Sequence, residues 1–218
     1  MDKRYIVYGA KGSGSVAVEA ALTLIGRPYD VVETASWYEG EQKARIEKVN
    51  PLGQVPALVL PTGDLMTESA AILIWLAEQH PEARLAPAAG DPARPGLLRW
   101  MAYVSSAIYS LYWLRDDPSR LVKDPAAMAQ VEANAAERIA GCWRMMDGQL
   151  THGRHILGEE LTVLDLYVAV VSRWTPGRER FCREAPGMAE AVRRVDQDPR
   201  LVALWAERFP FKASSPAC

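Results

Sequence analysis

The chain has 218 residues, 49% of them hydrophobic, and a formal net charge of −2. That length and apolar content predict one large or two small domains with real cores, which excludes a disordered chain and a coiled coil. Lysine and arginine are scattered along the sequence and no apolar run approaches the ~18 residues of a membrane span, so small molecules or proteins are the expected partners, with no nucleic acid and no membrane.

Arg4 to Tyr8 is a short β-rich run ended by Gly9. The loop that follows, KGSGSVA, places Gly12, Gly14 and Ala17 at the spacing G-x-G-x-x-G/A, which can cradle a dinucleotide pyrophosphate at a helix N-terminus. Ser15 to Ile25 then predicts a helix with Ala17, Ala20, Ala21 and Leu24 on one small apolar face. Gly26 and Pro28 turn the chain into a second strand, Tyr29 to Glu33, which a right-handed crossover lays parallel to the first. Up to this point a dinucleotide fold is tenable, with Glu33 roughly where a ribose-binding acid would stand.

Residues 40 to 78 do not continue that fold. After a polar helix from about Gly40 to Val49, the segments Val55 to Leu60 and Asp64 to Met66 predict two short strands joined by the turn Pro61-TGD. An adjacent hairpin thus replaces the next βαβ unit. Pro56 cannot donate to a ladder, which suits a strand start, and a cis Val55–Pro56 bond would suit it further. Ser69 to Glu78 is a covering helix. A βαβ unit, a hairpin and a covering helix make the thioredoxin-like order.

Residues 81 to 95 are rich in proline, alanine and glycine without apolar periodicity, which marks a domain boundary. Helices follow. Met128, Val131, Ala135, Ile139, Trp143, Met146 and Leu150 recur at helical spacing, and Ala102, Ile108, Tyr109 and Tyr112 predict a preceding helix. The expected layout is a thioredoxin-like domain over 1–82, a linker over 83–91, an all-helical domain over 92–210 and a tail over 211–218. Cys142, Cys182 and Cys218 are odd in number and lack metal-ligand spacing, as do His80, His152 and His155. The start MDKRYIVYGA has no apolar signal-peptide core, so a reducing cytoplasm is the expected location.

The run Asn50-PLGQVPAL, followed by Thr67-Glu68-Ser69 at the mouth of a helix and an all-helical second half, resembles the glutathione transferase superfamily over essentially the whole chain. Gly158-EELTVLDLYV resembles the family's capping box, and its chemistry stands without the family. Thr162 can accept from the Asp165 N–H, Asp165 can reach back to Thr162, and Leu161 can staple Leu166.

The resemblance implies glutathione as cosubstrate, no metal, and a homodimer. It implies that the cysteinyl backbone of glutathione pairs with Val55, the residue before Pro56, as an added strand. It places the γ-glutamyl ammonium and carboxylate at Glu68 and Ser69, and the glycyl carboxylate at Gln54 with help from Lys43 or Trp37. An ordinary thiol is mostly protonated at neutral pH, so an activating enzyme must stabilise thiolate with nearby donors. Ser13 and then Ser15, at the entry to the first helix, are the first candidates. Tyr8, at the end of the first strand, is the third. The cysteine that the beta-type bacterial classes carry falls at Gly14, so no protein thiol stands there. Tyr103, Tyr109, Trp113 and Trp174 are candidates for an apolar electrophile pocket.

Each motif has a plainer meaning as well. Glu68-Ser69 alone is an ordinary helix start, Ser15 alone is an N-cap, and aromatics at helical spacing are as often core as pocket. Three functions stay open: a transferase acting on a hydrophobic electrophile, a glutathione-dependent disulfide or peroxide reductase without an enzyme cysteine, and a non-catalytic binding or regulatory protein on the same fold.

Overall fold

The computed structural model describes residues 4–35, 37 and 40–210. The first half is β1 (Tyr5–Gly9), α1 (Ser15–Ile25), β2 (Tyr29–Glu33), α2 (Glu41–Val49), β3 (Ala57–Val59), β4 (Leu65–Met66) and α3 (Ser69–Gln79). The sheet order is β2-β1-β3-β4; β1 and β2 are parallel, and β3 runs antiparallel to both β1 and β4. This is the thioredoxin-like arrangement, and the hairpin at β3–β4 removes the dinucleotide fold that the glycine spacing alone suggested.

The predicted strand over Val55 to Leu60 shrinks to three residues. Pro56 has no N–H for the ladder and its peptide bond with Val55 is cis, so pairing with β1 starts only at Ala57, opposite Tyr8. Strand alternation sends Tyr5 and Val7 to the face covered by α1 and α3, in the main core. Tyr8 turns the other way, onto a small cluster of Ala10, Ala35, Ile46, Val55 and Ala57 beneath α2.

The second half is α4 (Arg94–Tyr103), a π-helical stretch over Val104–Tyr109, α5 (Ser110–Asp116), α6 (Pro125–Asp147), α7 (Val163–Val171), α8 (Arg178–Glu184), α9 (Pro186–Asp196) and α10 (Val202–Arg208). α6 stops three residues short of the predicted Leu150, its last turn running into Gly148. Every residue of α7 is buried, so it is the central helix of this domain. It packs on α1, α3, α4 and α9, tying the two domains into one core.

α1 is pressed between the sheet and α7, and its residues from Ser15 to Leu22 are buried throughout. The start of this helix lies directly on β1: a Cβ added to Gly9 would stand 2.2 Å from Ser15 Oγ and 2.3 Å from Ser15 Cβ. Gly9→Ala is expected to cost about 1–3 kcal/mol by overpacking, read as a lower urea midpoint with an unchanged slope. A midpoint equal to that of the unaltered chain would mean that β1 and α1 can separate freely.

Candidate functional site

Val55 is buried beside Ala10 in the small cluster under α2. Among the described residues, neither its N–H nor its C=O has a hydrogen-bond partner, although it directly precedes a paired strand. An unpaired edge of this kind accepts an extended peptide. Gln54 next to it is exposed, and its carbonyl accepts from Asn50 Nδ2 at 2.9 Å, which holds the turn 50–54.

The chain then reaches Glu68, which has φ 64°, ψ 103° in the left-handed region that a non-glycine residue rarely adopts. Strain of this kind persists where surrounding structure imposes it, and it gathers at ligand sites. Glu68 does not cap α3 with its side chain, so the first N–H groups of that helix are left for another acceptor. The Glu68 carboxylate is exposed. Ser69 is buried, and its hydroxyl bonds the Tyr167 hydroxyl of α7 at 3.0 Å. Burial pushes the Tyr167 phenol up to about 12, against the bonds from Ser69 and Ser105.

The loop between β1 and α1 is a hydrogen-bonded network that ends on a buried acid. Ser13 Oγ accepts the N–H groups of Ala10 at 3.3 Å and Ser15 at 3.2 Å, which uses both its lone pairs. Its own proton therefore goes to Ser15 Oγ, 2.9 Å away, and Ser15 donates in turn to Glu19 Oε1 at 3.0 Å. Glu19 is the only charged residue of α1 and is fully buried. Burial raises its carboxyl above the ordinary range, opposed by the Arg208 guanidinium and then by the Ser15 hydroxyl. Arg208, at the end of α10, donates through Nε to Glu19 Oε2 at 2.7 Å and also pairs with Glu33. The chain of donors thus runs inward, from loop to buried carboxylate. Ser13 and Ser15 are both buried, and their hydroxyls bond within the loop and to Glu19. Tyr8 is likewise turned toward α2, because odd and even positions of a strand point to opposite faces.

The helical domain supplies what the loop does not. Trp174 donates through Nε1 to the Gly12 carbonyl at 2.7 Å, and Tyr109 packs edge-on against it with ring centroids 4.8 Å apart. The Tyr109 ring is 6.2 Å from that of Tyr167, so it lies between Trp174, bonded to the loop, and Tyr167, bonded to Ser69. Tyr103 lies elsewhere. The Tyr103 hydroxyl donates to the Cys142 carbonyl of α6 at 3.3 Å. Trp113 is 45% exposed with the Arg120 guanidinium 4.4 Å from its ring centroid, which makes it a surface residue. Lys43 is half-buried on α2, and Trp37 is exposed in the turn leading to that helix.

Sequence reasoning missed Glu19, Arg208 and Tyr167. A lone carboxylate in an otherwise uncharged helix was a usable signal for Glu19; its partner, 189 residues away, had none. Among the described residues no cluster of side chains could hold a metal ion, and no helix is long and apolar enough to cross a membrane.

A small thioredoxin-like sheet followed by an all-helical half, both packed on α7, defines the class of fold. Comparison with known proteins agrees. A family model described as the glutathione S-transferase N-terminal domain matches residues 15–79. The uncharacterized GST-like protein YncG of Escherichia coli is 33% identical over 196 residues, which cover 89% of this chain and 94% of that one. Glutathione S-transferase GstA of Escherichia coli is 28% identical over 205 residues, covering 90% of this chain and 95% of that one. A Sulfitobacter glutathione transferase homolog, crystallised with bound glutathione, superimposes with a TM-score of 0.84 at 26% identity over 94% of this chain and 98% of that one. The chain belongs to the glutathione S-transferase superfamily.

Proposed function

We propose that the protein binds glutathione in an extended conformation and stabilises its thiolate for attack on a hydrophobic electrophile. The observation that carries this reading is the Val55 backbone, unpaired among the described residues, together with the uncapped N-terminus of α3. The cysteinyl backbone of the tripeptide adds to Val55 ahead of Pro56, as a strand adds to a sheet edge. Its γ-glutamyl carboxylate takes the free N–H groups of Ser69 and the next residues, where the helix dipole favours an anion. Its ammonium takes Glu68. In this reading Gln54 donates to the glycyl carboxylate, with help from Lys43 or Trp37. The glutathione bound in the Sulfitobacter homolog supports the choice of ligand. The same family membership supports a cytoplasmic homodimer acting in detoxification.

Glu68→Ala is expected to weaken glutathione binding about 10- to 100-fold, the worth of one charge-assisted hydrogen bond, in calorimetric titration. Unchanged affinity would remove the clamp. The inward direction of the loop hydroxyls favours a second reading, a non-catalytic member that binds glutathione without activating it. The ultraviolet difference spectrum of bound thiolate across pH separates the two: a thiol pKa at or above its free value means binding only.

A further inference from the structure

The loop hydroxyls are spent, the site has no cysteine at Gly14, and yet one hydroxyl stands over that position. A Cβ built on Gly14 would lie 2.5 Å from the Tyr109 hydroxyl oxygen and 3.1 Å from its ring. The phenol therefore occupies the space that a side chain at the entrance of α1 would fill. Only glycine leaves that room.

We propose that Tyr109, from the helical domain, donates the hydrogen bond that stabilises the glutathione thiolate, in place of any residue of the β1–α1 loop. This rests on the glutathione-binding reading and deepens it. The hydroxyl has no hydrogen-bond partner among the described residues, so its proton is uncommitted. Its position is enforced from both sides. Trp174, edge-on at 4.8 Å, is itself pinned to the Gly12 carbonyl, and Tyr167 behind it is bonded to Ser69. Tyr109 also ends the π-helical stretch, and such widened turns recur where a helix must re-aim a functional side chain.

The environment suits a donor and not a base. Burial first, then the neighbouring Tyr167, Glu68 and Asp116, raise the phenol above its ordinary value, so it keeps its proton throughout the neutral range. The thiol proton leaves to solvent, the sulfur keeps the electron pair, and the phenol donates to the resulting thiolate while remaining neutral. The N-terminus of α1 beneath adds its dipole to the same charge. No covalent bond to the protein forms.

The test is Tyr109→Phe in the full chain, with glutathione affinity by calorimetry and thiolate content by ultraviolet difference spectrum over pH. The expected result is affinity within about threefold of the unaltered protein and a bound-thiol pKa raised by about one unit, a roughly tenfold smaller thiolate fraction near neutrality. Gly14→Ala provides a second route, since its methyl group displaces a phenol that is still present. It should raise the thiol pKa similarly, and add nothing further in the Tyr109→Phe background. A thiol pKa that stays put in Tyr109→Phe, or that rises instead in Ser13→Ala, overturns the assignment while leaving glutathione binding intact. Failure of the unaltered protein to bind glutathione overturns the function itself.

Discussion

Replacing Arg208 by methionine should cost about 3–5 kcal/mol of folding stability, because it strands a carboxylate in the core. Glu19 is fully buried, and Arg208 approaches it as a fork, with Nε 2.7 Å from Oε2 and Nη2 3.2 Å from Oε1. The Arg208 carbonyl also accepts the Gly12 N–H at 2.8 Å, so the last helix holds the loop at its backbone as well as through Glu19. Burial already raises the Glu19 carboxyl, and removing the guanidinium raises it further. A carboxyl whose folded pKa lies above its unfolded one loses stability as pH rises through the folded value. The deficit of Arg208→Met should therefore be larger at neutral pH than under mildly acidic conditions. The double variant Glu19→Gln with Arg208→Met should recover most of the loss, since no buried charge is then left unpaired. Urea unfolding of the three variants decides it. A loss below about 1 kcal/mol, as for an exposed pair, would show that water reaches Glu19 in solution.

Asp165→Ala should lower stability by a comparable amount, about 3–5 kcal/mol. The buried Asp165 carboxylate accepts the Ile156 N–H, the Thr162 N–H and the Thr162 hydroxyl, each at 2.8 Å. Each backbone donor left unpaired in the core costs roughly 1–3 kcal/mol. The capping box it completes starts α7, the helix on which both domains close. Asp165→Asn keeps one oxygen as an acceptor but turns its NH2 toward one of the two backbone donors, so it should lose less than alanine without restoring the site, whereas Thr162→Ala removes only the hydroxyl and should cost about 1 kcal/mol. Thermal unfolding in one buffer ranks the three. If alanine and asparagine were equally tolerated, the 155–165 segment would have found water or another acceptor.

The elements of the first half were legible because each has a local cause. Gly9 stops β1, Gly26 takes the left-handed conformation that ends α1, and Pro56 delays β3. The α7 start was legible for the same reason, since a capping box is written within four residues. The ends of α6 and the π-helical turn were not. Leu150 continues the apolar stripe past the helix, and residues 104 to 109 carry no mark that distinguishes a widened turn from an α-helix.

Chain order, turn chemistry and short-range spacing thus determined the two-domain architecture and the proposed binding stretch from Gln54 to Ser69, because backbone preferences and a strand edge are properties of neighbouring residues. The direction of the loop hydroxyls was decided only in three dimensions. Ser13 reads from the sequence as a donor at a helix mouth, and it becomes an internal link because Arg208 holds Glu19 where Ser15 can donate to it. Tyr109 reads as one aromatic among several, and it reaches Gly14 because packing between domains selects one face of a helix from residues far apart in the chain. Hydrogen-bond direction and interdomain contact depend on which distant groups meet, and that is settled by how the two domains close on α7.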